Sequence, residues 1–131
     1  MTDQSSANSF DFNPLIHAEI LDSLYENDYQ YIEEIFNTAL THLDADVEMV
    51  RSAADPETLR KAVHKIKPTF GFLGMPDIEQ QCKQFEERCK TSQSIEPLAA
   101  DLDSLLQAIQ KAKTVIEQDY QKLIIYNKAQ A

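Results

Sequence analysis

Residues 59–86, LRKAVHKIKPTFGFLGMPDIEQQCKQFE, read as two helices folded back on each other, and that hairpin decides the fold. Leu59, Val63, Ile66, Phe70 and Leu73 recur every three or four residues, the spacing that gathers side chains onto one face of an α-helix. Gly74 closes the run, and Met75-Pro76-Asp77 makes a tight connection. Beyond it Ile78, Cys82, Phe85 and Cys89 repeat the same spacing on a second helix. Asp55-Pro56 supplies a cap and a first helical residue for the first of the pair.

The pattern extends in both directions. Upstream, Ile32, Ile35, Phe36, Ala39, Leu43, Val47 and Val50 form another apolar stripe, opened by Asn27 with Gln30 three residues on, in the manner of a capping box. Before that, Asn13 as N-cap and Pro14 in the first turn predict a short helix carrying Leu15, Ile16, Ile20 and Leu24, ending near Asn27. Downstream of a polar loop from Thr91 to Ser94, Leu98, Leu102, Leu105, Ile109, Ala112, Ile116, Tyr120 and Leu123 stay in register along one long helix. Its LIIY end, residues 123–126, is expected to overhang the bundle. A homodimer through Ile116, Leu123 and Ile124 is the alternative to the monomer otherwise expected.

Short links favour antiparallel neighbours, so the expected fold is all-α: an up-down four-helix bundle with an additional short N-terminal helix. It occupies residues 10–131 as one domain, with residues 1–9 as a flexible polar arm. A chain of 131 residues with 43% hydrophobic content can bury a core without staples. Two Gly and no Trp leave a composition suited to helix. With 22 acidic against 12 basic residues and a net charge of -10, a nucleic-acid partner is not expected. There is no apolar run long enough to span a bilayer, and the opening MTDQSSANSFDFN lacks the pattern of a signal peptide, so a cytoplasmic location is expected. Cys82 and Cys89 lie about two turns, roughly 10 Å, apart on one helix and cannot bridge each other. His17, His42 and His64 show no metal-ligand spacing, and no metal is expected.

His64 follows the core residue Val63 by one position, about 100° round the helix toward the rim. Arg60, Lys61, Lys67, Pro68 and Gly71 are its helical neighbours, a basic and compact face on an acidic protein, and Lys65 lies directly beside it. A nucleophilic histidine must be reachable and close to positive charge, and Lys67 can point its ammonium at a phosphoryl group on His64. Gly71 leaves room for a partner to approach. His64 and Glu86 stand equally far before and after Met75, so an antiparallel hairpin brings them level, where the Glu86 carboxylate can take a hydrogen bond from one ring nitrogen and leave the other free. Taken alone, a surface histidine beside lysines is an ordinary solvated residue.

The stretch from His64 to Gly74 resembles the signature of histidine-containing phosphotransfer (HPt) domains, and Ile78, Cys82, Phe85 and Glu86 continue the resemblance past the turn. The resemblance implies that His64 is the phosphoacceptor, Lys67 the phosphate-stabilising lysine and Glu86 the residue orienting the imidazole. It further implies a carrier that takes a phosphoryl group from a receiver-domain aspartyl phosphate and passes it to another receiver. Its partners would be receiver domains of response regulators or of a hybrid sensor histidine kinase. Mg²⁺ would come from the receiver, no cofactor would be held permanently, and the chain would have no kinase activity of its own, since it carries no nucleotide-binding loop. Arg60, Lys61, Lys65, Pro68, Gly71 and Phe72 are the expected partner-binding residues, with Phe72 either an exposed docking anchor or a ring folded over the hairpin turn. Two positions depart from the family pattern. Pro68 stands where Gly is usual and removes the backbone bond to the His64 carbonyl, which predicts a kink or local loosening costing about 3 kcal/mol unless the bundle compensates. Phe70 falls on the core stripe and is a packing variation. The alternative function is a helical interaction module that binds a signalling partner without phosphotransfer.

Overall fold

The computed structural model describes residues 10–131; the arm expected over residues 1–9 lies outside the described residues. Among the described residues the chain is helical, with no strand: α1 (Ala18–Tyr25), α2 (Tyr29–Ser52), α3 (Pro56–Phe72), α4 (Pro76–Thr91), a short 3-10 turn (Glu96–Leu98) and α5 (Ala99–Gln130). The four long helices close a ring in which α2 packs on α3 and α5, and α4 on the same two, with α1 laid against α2. This is the antiparallel bundle with a short N-terminal helix that the periodicity predicts. The α3–α4 hairpin is the most extensive of these contacts.

The stripes meet in one core. Phe36, Leu43, Leu59, Ile66, Phe70, Leu105 and Ile109 are all sealed from solvent, and each such side chain contributes about 1.5–3 kcal/mol through its burial. Cys82 and Cys89 are free thiols inside that core, small packing residues as their spacing indicates.

Local chemistry moved two helix starts. Asn13 does not cap α1; its side chain accepts from Leu15 N at 2.8 Å and its carbonyl from Ile16 N at 2.9 Å, an Asx turn that holds residues 13–16 out of the helix. The helix begins only at Ala18, with His17 N donating to Gly74 O at 2.7 Å. Likewise Asn27 does not cap α2. Glu26 and Asn27 both turn left-handed, at φ 54 and 60, and Asp28 becomes the cap, accepting from Tyr31 N at 3.1 Å. An ionised carboxylate is the stronger acceptor, and asparagine tolerates the left-handed region that the bend requires.

Pro68 does not break α3, which stays helical to Phe72. His64 and Pro68 are both exposed, one turn apart on the same face, so the carbonyl deprived of its partner lies on the solvent side where water can satisfy it. The end of α5 does not overhang. Leu123 is buried in the core, the Tyr126 ring sits edge-on to Phe10 and Tyr29, and Asn127 Nδ2 donates to Tyr29 O at 3.0 Å and to Glu33 Oε1 at 2.7 Å. Ile116 is sealed as well, so Ile116 and Leu123 cannot meet a second copy; Ile125 is the exposed apolar residue of this segment.

The hairpin turn is a Schellman motif. Gly74 has φ 71, its N–H donates to Gly71 O at 3.2 Å, and Met75 N donates to Phe70 O at 2.8 Å. A Cβ on Gly74 would stand 3.1 Å from both His17 O and the Leu21 side chain. Gly74→Ala is therefore expected to lower stability by at least about 1–2 kcal/mol from the left-handed backbone alone, read as a fall in the urea midpoint at constant slope.

Candidate functional site

The hairpin turn fixes which residues of α3 and α4 face each other, and it brings His64 and Glu86 together. His64 Nδ1 lies 2.8 Å from Glu86 Oε1. The two side chains differ sharply in exposure: 64% for His64 against 6% for Glu86. Each follows a core residue by one position, yet α3 turns its residue to the rim while α4 tucks its own between the helices. An ionised carboxylate can only accept, so Nδ1 carries the hydrogen, which in the neutral ring leaves the lone pair on Nε2.

Lys67 completes the group. Its Nζ is 2.8 Å from Glu86 Oε2, and its side chain is only 22% exposed. At that distance the ammonium and the carboxylate make a charge-assisted contact. Burial pushes the Glu86 carboxyl up; the contacts from Lys67 and His64 together outweigh it and hold the group below its ordinary value of 4.5. The Lys67 ammonium, expected to serve a phosphoryl group on His64, has Glu86 as its partner here. Beneath the trio, burial and then the Glu86 charge push the Cys82 thiol up to about 12, so that sulfur is inert.

The surrounding cations are less free than their sequence positions suggest. Arg60 gives two hydrogen bonds to Glu57, Nε to Oε1 at 2.9 Å and Nη2 to Oε2 at 2.8 Å. Lys65 Nζ is 3.4 Å from Asp46 Oδ1. Lys61 remains largely in solvent, 4.0 Å from Glu57. At Gly71 a Cβ would meet Glu79 Oε2 at 2.7 Å, so the missing side chain accommodates that carboxylate of α4.

Phe72 is 57% exposed and is not folded over the turn. It forms the rim of an apolar groove with Tyr25, Tyr31, Ile35, Ala39 and Leu73, and Tyr25 Oη donates to Phe72 O at 2.8 Å. Sequence reasoning placed neither tyrosine here, although both lie off the apolar stripes of their helices, the signal that marks them as outward-facing. Glu79 and Asp46 were missed too; acids on polar faces carry no sign of which cation they will reach. Among the described residues, no group of His, Cys, Asp or Glu is arranged to hold a metal ion, and no helix is long and apolar enough to cross a membrane.

A family model for the Hpt domain matches residues 19–114, well over half of the chain and including His64, Lys67 and Glu86. The chain belongs to the Hpt domain family. Among solved structures, it is similar to the HPt domain of an Hpt sensor hybrid histidine kinase from Shewanella, with a TM-score of 0.71 and 19% identity over 82% of this chain and 95% of that one. That likeness speaks to the fold. No curated protein matches the sequence.

The trio makes a prediction about acid stability. Because the folded Glu86 carboxyl lies below 4.5, its ion pairs stabilise the fold fully above that value and are lost as pH falls through the lower, folded one. Urea midpoints measured from pH 7 down to pH 3 should fall more steeply for wild type than for Glu86→Gln, which has no proton to take up at this position.

Proposed function

We propose that this Hpt-domain protein is a phosphorelay carrier whose His64 accepts a phosphoryl group from a receiver-domain aspartyl phosphate and delivers it to another receiver. One observation carries the reading: a well-exposed imidazole, within the matched family segment, has its Nδ1 bound at 2.8 Å to a buried carboxylate. That arrangement leaves Nε2 as the nucleophile.

In the forward step Nε2 attacks phosphorus in line, the P–O bond to the aspartate breaks, and the carboxylate leaves with the electron pair. No proton needs to depart. The ring, now bearing both Nδ1–H and the P–Nε2 bond, is positively charged, and Glu86 Oε1 stabilises it through the existing hydrogen bond. Delivery runs the same path backward onto a second aspartate. Mg²⁺ is assigned to the receiver, which would supply most of the charge stabilisation in the transition state. The reading places the carrier in the cytoplasm with its partners.

For docking, Phe72 and the groove beside it offer the apolar contact, and Lys61 and Lys65 an exposed positive rim that suits the acidic site of a receiver. Phe72→Ala is expected to weaken receiver binding about tenfold, measurable by titration calorimetry, without lowering thermal stability. An unchanged affinity removes Phe72 from the interface.

The reading itself is tested by transfer from a panel of phosphorylated receivers to wild type and His64→Gln side by side. Acid-labile, base-stable label is expected on wild type alone. Receiver binding that survives His64→Gln, with no label on either protein, would favour a binding module without chemistry.

A further inference from the structure

Lys67 is folded inward. Its ammonium rests on Glu86 Oε2 at 2.8 Å, beneath an imidazole that stands well out into solvent. Glu86 in turn has little else: it is 5% exposed, and among the described residues the groups within ion-pair distance of it are the His64 ring and the Lys67 ammonium. Arg60 is paired with Glu57 and Lys65 with Asp46, so among the described residues Lys67 is the lysine or arginine within ion-pair distance of Glu86. A buried carboxylate stripped of its one cationic partner is costly, which makes Glu86 a firm holder of that ammonium.

The geometry points to a competition: Glu86 and a phosphoryl group on His64 contend for the same ammonium of Lys67, so that Glu86 limits the lifetime of the phosphohistidine. This rests on the phosphoacceptor reading of His64 and adds what regulates it. Lys67 lies one turn from His64 on α3 and can reach either anion. Paired with the phosphoryl oxygens it stabilises the loaded state; held by Glu86 it does not. The loaded state decays when water adds to phosphorus and the P–Nε2 bond breaks, its electron pair returning to Nε2 as inorganic phosphate leaves. Glu86 thus acts through two oxygens: Oε1 supports the ring, and Oε2, by holding the ammonium, keeps the loaded form from becoming too stable to pass on.

The test needs no protein partner. Phosphoramidate is the donor: its P–N bond breaks, ammonia leaves, and the phosphoryl group moves to Nε2. Label decay is followed by ³¹P NMR in wild type, Glu86→Gln, Lys67→Met and the double variant, each checked for folding by thermal unfolding. Glu86→Gln is expected to lengthen the phosphohistidine half-life about fivefold, the factor equivalent to about 1 kcal/mol of ion-pair competition. Lys67→Met should shorten the half-life more in the Glu86→Gln background than in wild type, where the ammonium is shared. The second comparison separates competition from a simple change in imidazole basicity, which would leave the Lys67→Met effect equal in both. An unchanged half-life in Glu86→Gln, or that equality, overturns the inference while leaving the carrier reading intact; absence of label on wild type removes both. Should Glu86→Gln fail to fold, the wild type alone decides: the Lys67 Nζ resonance is expected to shift on phosphorylation, and a resonance that stays put overturns the competition.

Discussion

A carboxylate closed between two helices constrains everything around it. Glu86 is charged and almost fully buried, a state the fold tolerates only because His64 reaches one oxygen and Lys67 the other. Replacing such a group by an apolar one of the same shape need not weaken a bundle. Here Glu86 ties α4 to α3 through the Nδ1 of His64 and the ammonium of Lys67. The core packing on either side, Val63 below His64 and Phe85 below Glu86, keeps both side chains at the height where they meet.

The register of α3 against α4 depends on a turn in which a side chain is strained at one position. Gly74 takes the left-handed conformation and satisfies the α3 carbonyls in a Schellman turn, while its own carbonyl receives His17 N at the head of α1. The short N-terminal helix is therefore tied to the same turn that aligns the site. Tyr25 at its far end reaches back to the Phe72 carbonyl, and the helix so placed walls one side of the apolar groove. A segment that looks peripheral in the chain thus shapes the surface beside His64.

Charge is organised on two scales. The whole chain carries -10, yet the exposed side of α3 gathers Arg60, Lys61, Lys65 and Lys67. Three of these four cations are held by acids close by, Glu57, Asp46 and Glu86. Bound in this way they are positioned rather than free, which reduces their net field and makes the local arrangement of each pair matter more than the sum.

Much of this was legible in the residues. Helical periodicity is a local property, so the apolar stripes mark the long helices, and equal spacing about Met75 sets Glu86 level with His64. Helix starts were read less well at Asn13 and Asn27, because several neighbouring acceptors compete for the same few amides and the winner depends on the path of the bend. The partner of Lys67, the carboxylate over Gly71, the anchoring of Tyr126 and Asn127 against α2, and the exposure of Phe72 were decided only in the tertiary structure. A stripe follows from the 3.6-residue turn of one helix. Which of several opposite charges a long flexible side chain reaches, and whether a ring beside a turn is covered, depends on groups brought near by the packing of other helices, and that information is not contained in any one segment of the chain.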